Sequence, residues 1–256
     1  MSTAKASPEQ GMTLVEHLTE LRTRLIICVV AVAVGMLIAF IAYDWILDFL
    51  IRPYRDIATD ENSLTGGDLL LTDPLEGFGV RMRTSAYAGI GLAMPVILWQ
   101  LWRFVSPGLY SNEKRYAIPF VASALVLFML GAGLAYYTLP RALEFLVDIA
   151  GGDFVTAFSS GKYFTLVTYM MLAFGIGFEF PIVLIFLQLA GILETDTLRR
   201  ARRYAIVGIC ILVAVITPSG DPISMLMLSV PMVLFYEIAI LIGSWLSKRQ
   251  ALRDAT

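Results

Sequence analysis

Histidine occurs once in this 256-residue chain, cysteine twice, and charged residues make up only 16% of it. A single His17 rules out any site built from several imidazoles. HExxH, Walker, CxxC and Rossmann glycine patterns are missing too, so neither an enzyme nor a bound cofactor is expected. Cys28 and Cys210 lie within apolar runs and form no disulfide framework; both read as small, buried apolar residues. The opening "MSTAKASPEQGMTLVEHLTELRTR" has no apolar core ending in a small-residue cleavage site, so no cleaved signal peptide is expected. A net charge of −2 says little about partners, and no nucleic-acid partner is expected.

What the chain has in excess is apolar sequence. Hydrophobic residues are 58% of it and the mean hydropathy is +0.75, against roughly half in a soluble domain. The excess is gathered into runs. Leu25–Tyr43 and Thr84–Trp102 each hold nineteen residues without a charge; Tyr116–Pro140, Tyr163–Leu193, Tyr204–Thr217 and Ile223–Leu246 follow. A helix needs roughly 20 residues to cross the hydrocarbon core. The reading is an all-α integral membrane protein with six transmembrane helices, the fifth and sixth short. The fourth run, thirty-one residues long, must tilt or project. Residues 1–24 form an N-terminal amphipathic segment, 25–246 the membrane domain and 247–256 a tail.

Basic residues set the orientation. Thirteen fall on the side that holds both termini and six on the other, so both termini are expected in the cytoplasm. The first outer loop, 44–77, is long and acidic, and its "TGGDLLLTDP" carries turn signals. Small residues at four-residue spacing (Ser85, Gly89, Ala93; Ala173, Gly177) suit close helix packing.

Carboxylates at the cytoplasmic edge stand out. In "TLVEHLTELRTRL", Thr13 and Glu16 have capping-box spacing. Leu14, Leu18, Leu21 and Leu25 form an apolar stripe, with His17, Glu20 and Arg24 on a polar face. This describes an amphipathic helix lying at the interface, with Glu20 and Arg24 paired at i, i+4. In the next cytoplasmic loop, Pro107-Gly108 breaks the second span. Ser111 or Asn112 can cap the third, with Glu113 in its first turn. Two carboxylates on rigid helix starts can also grip a ligand with two guanidinium groups. Glu179 is the outlier, with sixteen uncharged residues before it and fourteen after. At mid-depth an acidic group costs about 2.5–3.5 kcal/mol on insertion scales. It belongs either to a satisfied partner inside the bundle, near a hydroxyl or Glu237, or to the wall of a hydrated groove.

Five stretches, in order, resemble one family. "HLTELRTRL" (17–25) matches the HLxELRxRL signature of the TatC family, the multispanning receptor of the twin-arginine protein translocase. "TDPLEGF", "FVSPGLYSNEKR", "AFGIGFEFP" and "TPSGD" are similar to its later motifs. The resemblance implies a receptor and core translocase subunit in the bacterial cytoplasmic (inner) membrane. It would export folded cargo bearing twin-arginine signal peptides, driven by the proton-motive force. The implied partners are small single-span subunits of the TatA and TatB type, membrane lipid and further copies of the chain within a larger complex. Carried over by motif, Glu20 and Glu113 contact the arginine pair, and His17, Arg22, Phe104, Pro107 and Tyr110 shape that site. Glu179, Asp221, Pro53 and Thr217 are expected at an intramembrane groove or partner contact. One departure is "TPSGDPISM", with one residue more than the TPPD of many relatives and Met225 where they carry glutamine. The alternative reading is a proton-coupled transporter of a small solute that relays protons through Glu179 and Glu237; a passive scaffold is a third.

Overall fold

The computed structural model describes residues 14–55, 69–105, 117–150, 158–189, 191–218 and 220–254. Eight helices form among them: α1 (Leu14–Ile41), α2 (Tyr43–Arg55), α3 (Glu76–Val105), α4 (Ala117–Ala150), α5 (Ser160–Gly177), α6 (Phe180–Leu189), α7 (Thr195–Ile216) and α8 (Pro222–Asp254). Five segments are long and apolar enough to cross a membrane: Val15–Ile41, Glu76–Phe104, Ile118–Ile149, Ser160–Gln188 and Pro222–Trp245. The sixth crossing is α7, which carries four arginines in its first turns and is apolar only from Tyr204 onward. The expected shortness is therefore concentrated in α7. By contrast α8, expected to be short as well, holds 24 apolar-rich residues, enough to cross.

The thirty-one-residue fourth run is divided rather than simply tilted. Pro181 has no N–H to give the Gly177 carbonyl, so the ladder fails and Phe178 and Glu179 form a turn between α5 and α6. Helix α1 is likewise not a separate interfacial helix joined to a span; it is continuous over 28 residues. Its apolar stripe faces outward, as an interfacial helix would have it, but its polar face meets protein instead of water. Leu18, Leu21 and Leu25 are exposed on the outside of the bundle, while Glu20 and Arg24 turn inward toward α3. Continued into a span, the polar face has no water to meet and needs protein instead.

Backbone contact fixes the α1–α3 pair. A Cβ on Gly35 would lie 2.5 Å from the Gly89 carbonyl oxygen, and one on Gly89 2.5 Å from the Met36 nitrogen. Both positions admit only glycine, and α1 packs along much of α3 as a result. On the outer side, Arg81 of α3 lies over the Phe40 and Tyr43 rings and donates to the Phe40 carbonyl at 3.1 Å, which holds the turn between α1 and α2. The main core joins α2, α4, α5 and α8 around Leu139, Tyr163, Phe174, Leu228 and Met232. Three tyrosines in it and beside it are bonded to main chain: Tyr163 donates to Leu50 O at 2.7 Å, Tyr136 to Phe49 O at 2.9 Å, and Tyr236 to Leu198 O at 2.7 Å.

The outer ends of α3 and α5 are tied by Glu76. Its Oε1 accepts from Ser159 Oγ and Gly161 N, and its Oε2 from the amide and hydroxyl of Thr72. A parallel bridge between Leu70 and Ser159 runs beside it. At the cytoplasmic end, Gln188 of α6 donates to Ala239 O of α8 at 3.1 Å and accepts from Thr195 Oγ1 of α7 at 3.0 Å.

Candidate functional site

The Gly35–Gly89 crossing carries the cytoplasmic ends of α1 and α3 side by side, and the polar face of α1 meets α3 there. Arg24 is the hub. It donates through Nε and NH2 to Glu20 Oε1 and through NH1 to Gln100 Oε1, the last at 3.1 Å. Gln100 is buried, and the Glu20 and Arg24 side chains are only 17% and 15% exposed. One turn nearer the cytoplasm His17 stacks on Phe104, ring centroids 4.5 Å apart.

This arrangement leaves Glu20 half used. Both Arg24 bonds go to Oε1, whereas Oε2 is buried and has no hydrogen-bond partner among the described residues. An unmet carboxylate oxygen in a low-dielectric setting is costly in isolation. It is therefore a prepared acceptor for an incoming N–H donor, and a guanidinium supplies the strongest kind. The stacked His17–Phe104 pair beside it offers a flat aromatic face suited to the same group.

Of the sequence-chosen residues, Glu20, His17 and Phe104 come together. Arg22 does not join them: two residues on, it is turned about 200° around the helix and is exposed. Glu113, Pro107 and Tyr110 lie outside the described residues, as does Thr13 of the capping box. Arg24 and Gln100 are the residues that sequence reasoning missed as site members. The available signal was Gln100 itself, one amide within "VILWQLWRF".

The intramembrane assignments separate. Glu179 sits in the turn between α5 and α6, half-buried, with a buried Oε1 that has no partner among the described residues. Glu237 is not its neighbour in charge; it pairs with Arg202 of α7, Nε to Oε1 at 2.7 Å and NH2 to Oε2 at 2.8 Å. That bidentate pair corrects the expectation of a Glu179–Glu237 couple. Thr217 is buried at the C-cap of α7 and donates to Val213 O at 2.7 Å. Asp221 is also buried and accepts from Ser224 N at 2.6 Å, capping α8 just ahead of Pro222. Pro53 is buried within α2. Pro53, Thr217 and Asp221 therefore shape the outer ends of helices. Cys28 is half-buried and Cys210 exposed, so the expectation of two buried cysteines fails; an apolar α7 surface can face lipid instead.

A bundle of membrane-crossing helices with a half-satisfied carboxylate at its cytoplasmic edge, and with no catalytic constellation among the described residues, defines a multispanning membrane protein. Comparison with known proteins names the family. The family model described as "Sec-independent protein translocase protein (TatC)" matches residues 16–231. A protein of that name from Frankia casuarinae is 40% identical over 96% of this chain and 69% of its own length. One from Aquifex aeolicus is 37% identical over 93% of this chain and 98% of its own. A solved structure titled a twin-arginine translocase receptor, TatC, superposes with a TM-score of 0.75 at 38% identity, covering 90% of this chain and 99% of that one. The chain belongs to the TatC family. It is a multi-pass component of the Sec-independent, twin-arginine protein translocase in the cytoplasmic membrane.

Proposed function

We propose that the chain reads the arginine pair of twin-arginine signal peptides at the cytoplasmic ends of α1 and α3, with Glu20 as a direct contact. The observation that carries this is the buried, unpartnered Oε2 of Glu20, aligned by Arg24 and Gln100. Arg24 acts as a positioning residue. It neutralises one oxygen and fixes the rotamer, leaving the second oxygen an unmet acceptor that a guanidinium reaches once the side chains covering it move aside. Glu113 joins the same contact by motif, and twin-arginine cargo then docks before it crosses.

A charge-assisted hydrogen bond contributes about 1.5–3 kcal/mol, so Glu20→Gln is expected to weaken peptide binding roughly ten- to hundredfold. Glu20→Lys is expected to weaken it further through repulsion. The measurement is titration of purified protein with a labelled peptide carrying Arg-Arg or Lys-Lys. Wild-type affinity in both variants would remove Glu20 from the contact.

Glu179 serves a second step in this proposal. Its unmet oxygen at the α5–α6 turn is suited to a polar side chain on the span of a small partner subunit of the TatA or TatB type. Glu179→Gln, which still hydrogen-bonds, is expected to keep much of the transport activity. Glu179→Leu is expected to bind signal peptide normally and transport poorly. Normal transport by the leucine variant would leave Glu179 a structural residue. The solute-transporter reading loses its relay, because Glu237 is held by Arg202.

A further inference from the structure

A cavity of about 470 Å³ opens at the other end of the bundle, among the outer ends of α3, α5 and α7. It exists because α7 leans on α8 rather than on α5. Two cations from different helices line it: Arg83, two turns into α3, and Lys162, in the first turn of α5. The other walls include Leu166, Tyr169, Val215, Ile216 and Pro218. Both cations are exposed, and among the described residues neither forms an ion pair or hydrogen bond. Glu76, bonded to Gly161 next to Lys162, has both oxygens already engaged by Thr72, Ser159 and Gly161.

Two cations with no partner among the described residues, lining an apolar cleft at the outer end of three membrane helices, match one chemistry. A free anion has no need of the apolar walls, and an apolar partner helix would leave both charges unmatched. We propose that this cavity binds one anionic phospholipid of the outer leaflet. Its phosphate lies between Arg83 and Lys162, and an acyl chain runs down over Leu166, Val215 and Ile216. The stems of the two cations cover apolar surface while their heads reach the phosphate level. The signal-peptide reading is not required for this, since the two sites lie at opposite ends of the bundle.

The test is native mass spectrometry of the delipidated full chain with phosphatidylglycerol or phosphatidylcholine added at equal concentration. Retention of phosphatidylglycerol is expected to exceed that of phosphatidylcholine by about tenfold, and the double variant R83Q/K162Q to lose that preference. Twin-arginine peptide binding, measured on the same preparation, is expected to be unchanged and reports that the variant is folded. Should the double variant lose peptide binding too, Val215→Trp decides: it keeps both charges, fills the cleft and is expected to lower phosphatidylglycerol retention. Equal retention of the two lipids by the wild type overturns the proposal. So does undiminished phosphatidylglycerol binding in a folded R83Q/K162Q or in Val215→Trp. Displacement of the lipid by millimolar inorganic phosphate would make this a free-anion site. A photo-crosslinker at Leu166 that captured a protein span instead of lipid would make it a partner site. Either result overturns the lipid assignment.

Discussion

Pro53 shows how one residue sets a contact two helices away. Lacking an N–H, it leaves the Phe49 carbonyl without its helical donor, and the Tyr136 hydroxyl of α4 takes that place at 2.9 Å. The proline's value is thus the acceptor it frees, which pins α2 across the outer end of α4. Tyr136→Phe is expected to destabilise the detergent-solubilised protein by about 1 kcal/mol, as a typical net hydrogen bond does. In the Pro53→Ala background the same change is expected to cost less, because alanine restores an N–H that the Phe49 carbonyl can accept. Thermal unfolding of the four-member cycle measures the coupling, and equal costs in both backgrounds would break the link. At this scale the sequence was legible only in part. Glu20, His17 and Phe104 are found by their motifs, whereas helical spacing shows Arg24 only as a partner of Glu20 and nothing points to Gln100 as its second contact. The Arg24–Gln100 bond spans 76 positions and the Arg202–Glu237 bond 35, and no local pattern encodes either.

At the scale of elements, runs of apolar residues were enough to find all six crossings, because a span must satisfy its backbone internally and so must be long and apolar. Helix ends within a run were harder to see. The α5–α6 break is a consequence of Pro181, which apolar counting passes over. The inward turn of His17, Glu20 and Arg24 was misjudged because amphipathic reasoning presumes water on the polar side. If Pro181 causes the break, Pro181→Ala lets residue 181 donate to Gly177 O and continues the helix through Glu179. Spin labels at Lys162 and Val183 are then expected to move apart, measured by electron–electron distance spectroscopy. An unchanged separation would assign the break to the packing around Phe178, whose ring meets Phe235 with centroids 5.0 Å apart.

For the whole molecule, the thirteen-to-six partition of basic residues agrees in orientation with the five long apolar helices and α7. Arg55 ends α2 on the outer side, while Arg199 lies in the second turn of α7 on the cytoplasmic side, and both are exposed. A membrane-impermeant thiol reagent applied to intact cells is expected to label Arg55→Cys and to spare Arg199→Cys until the membrane is opened. Labelling of both from outside would invert or break the six-span arrangement. The native Cys28 and Cys210 lie within spans and form no disulfide with each other.

The outer tie built on Glu76 also bears on how the protein is made. Its partner Gly161 follows 85 residues later, and a chain leaves the ribosome at roughly 5–20 residues per second. For several seconds Glu76 is across the membrane while the start of α5 has not yet been synthesised. The outer surface cannot close until the fourth crossing begins, whatever the earlier helices have achieved. A nascent chain halted before that point carries an open, acidic outer loop. The finished surface is thus a record that insertion has passed its midpoint.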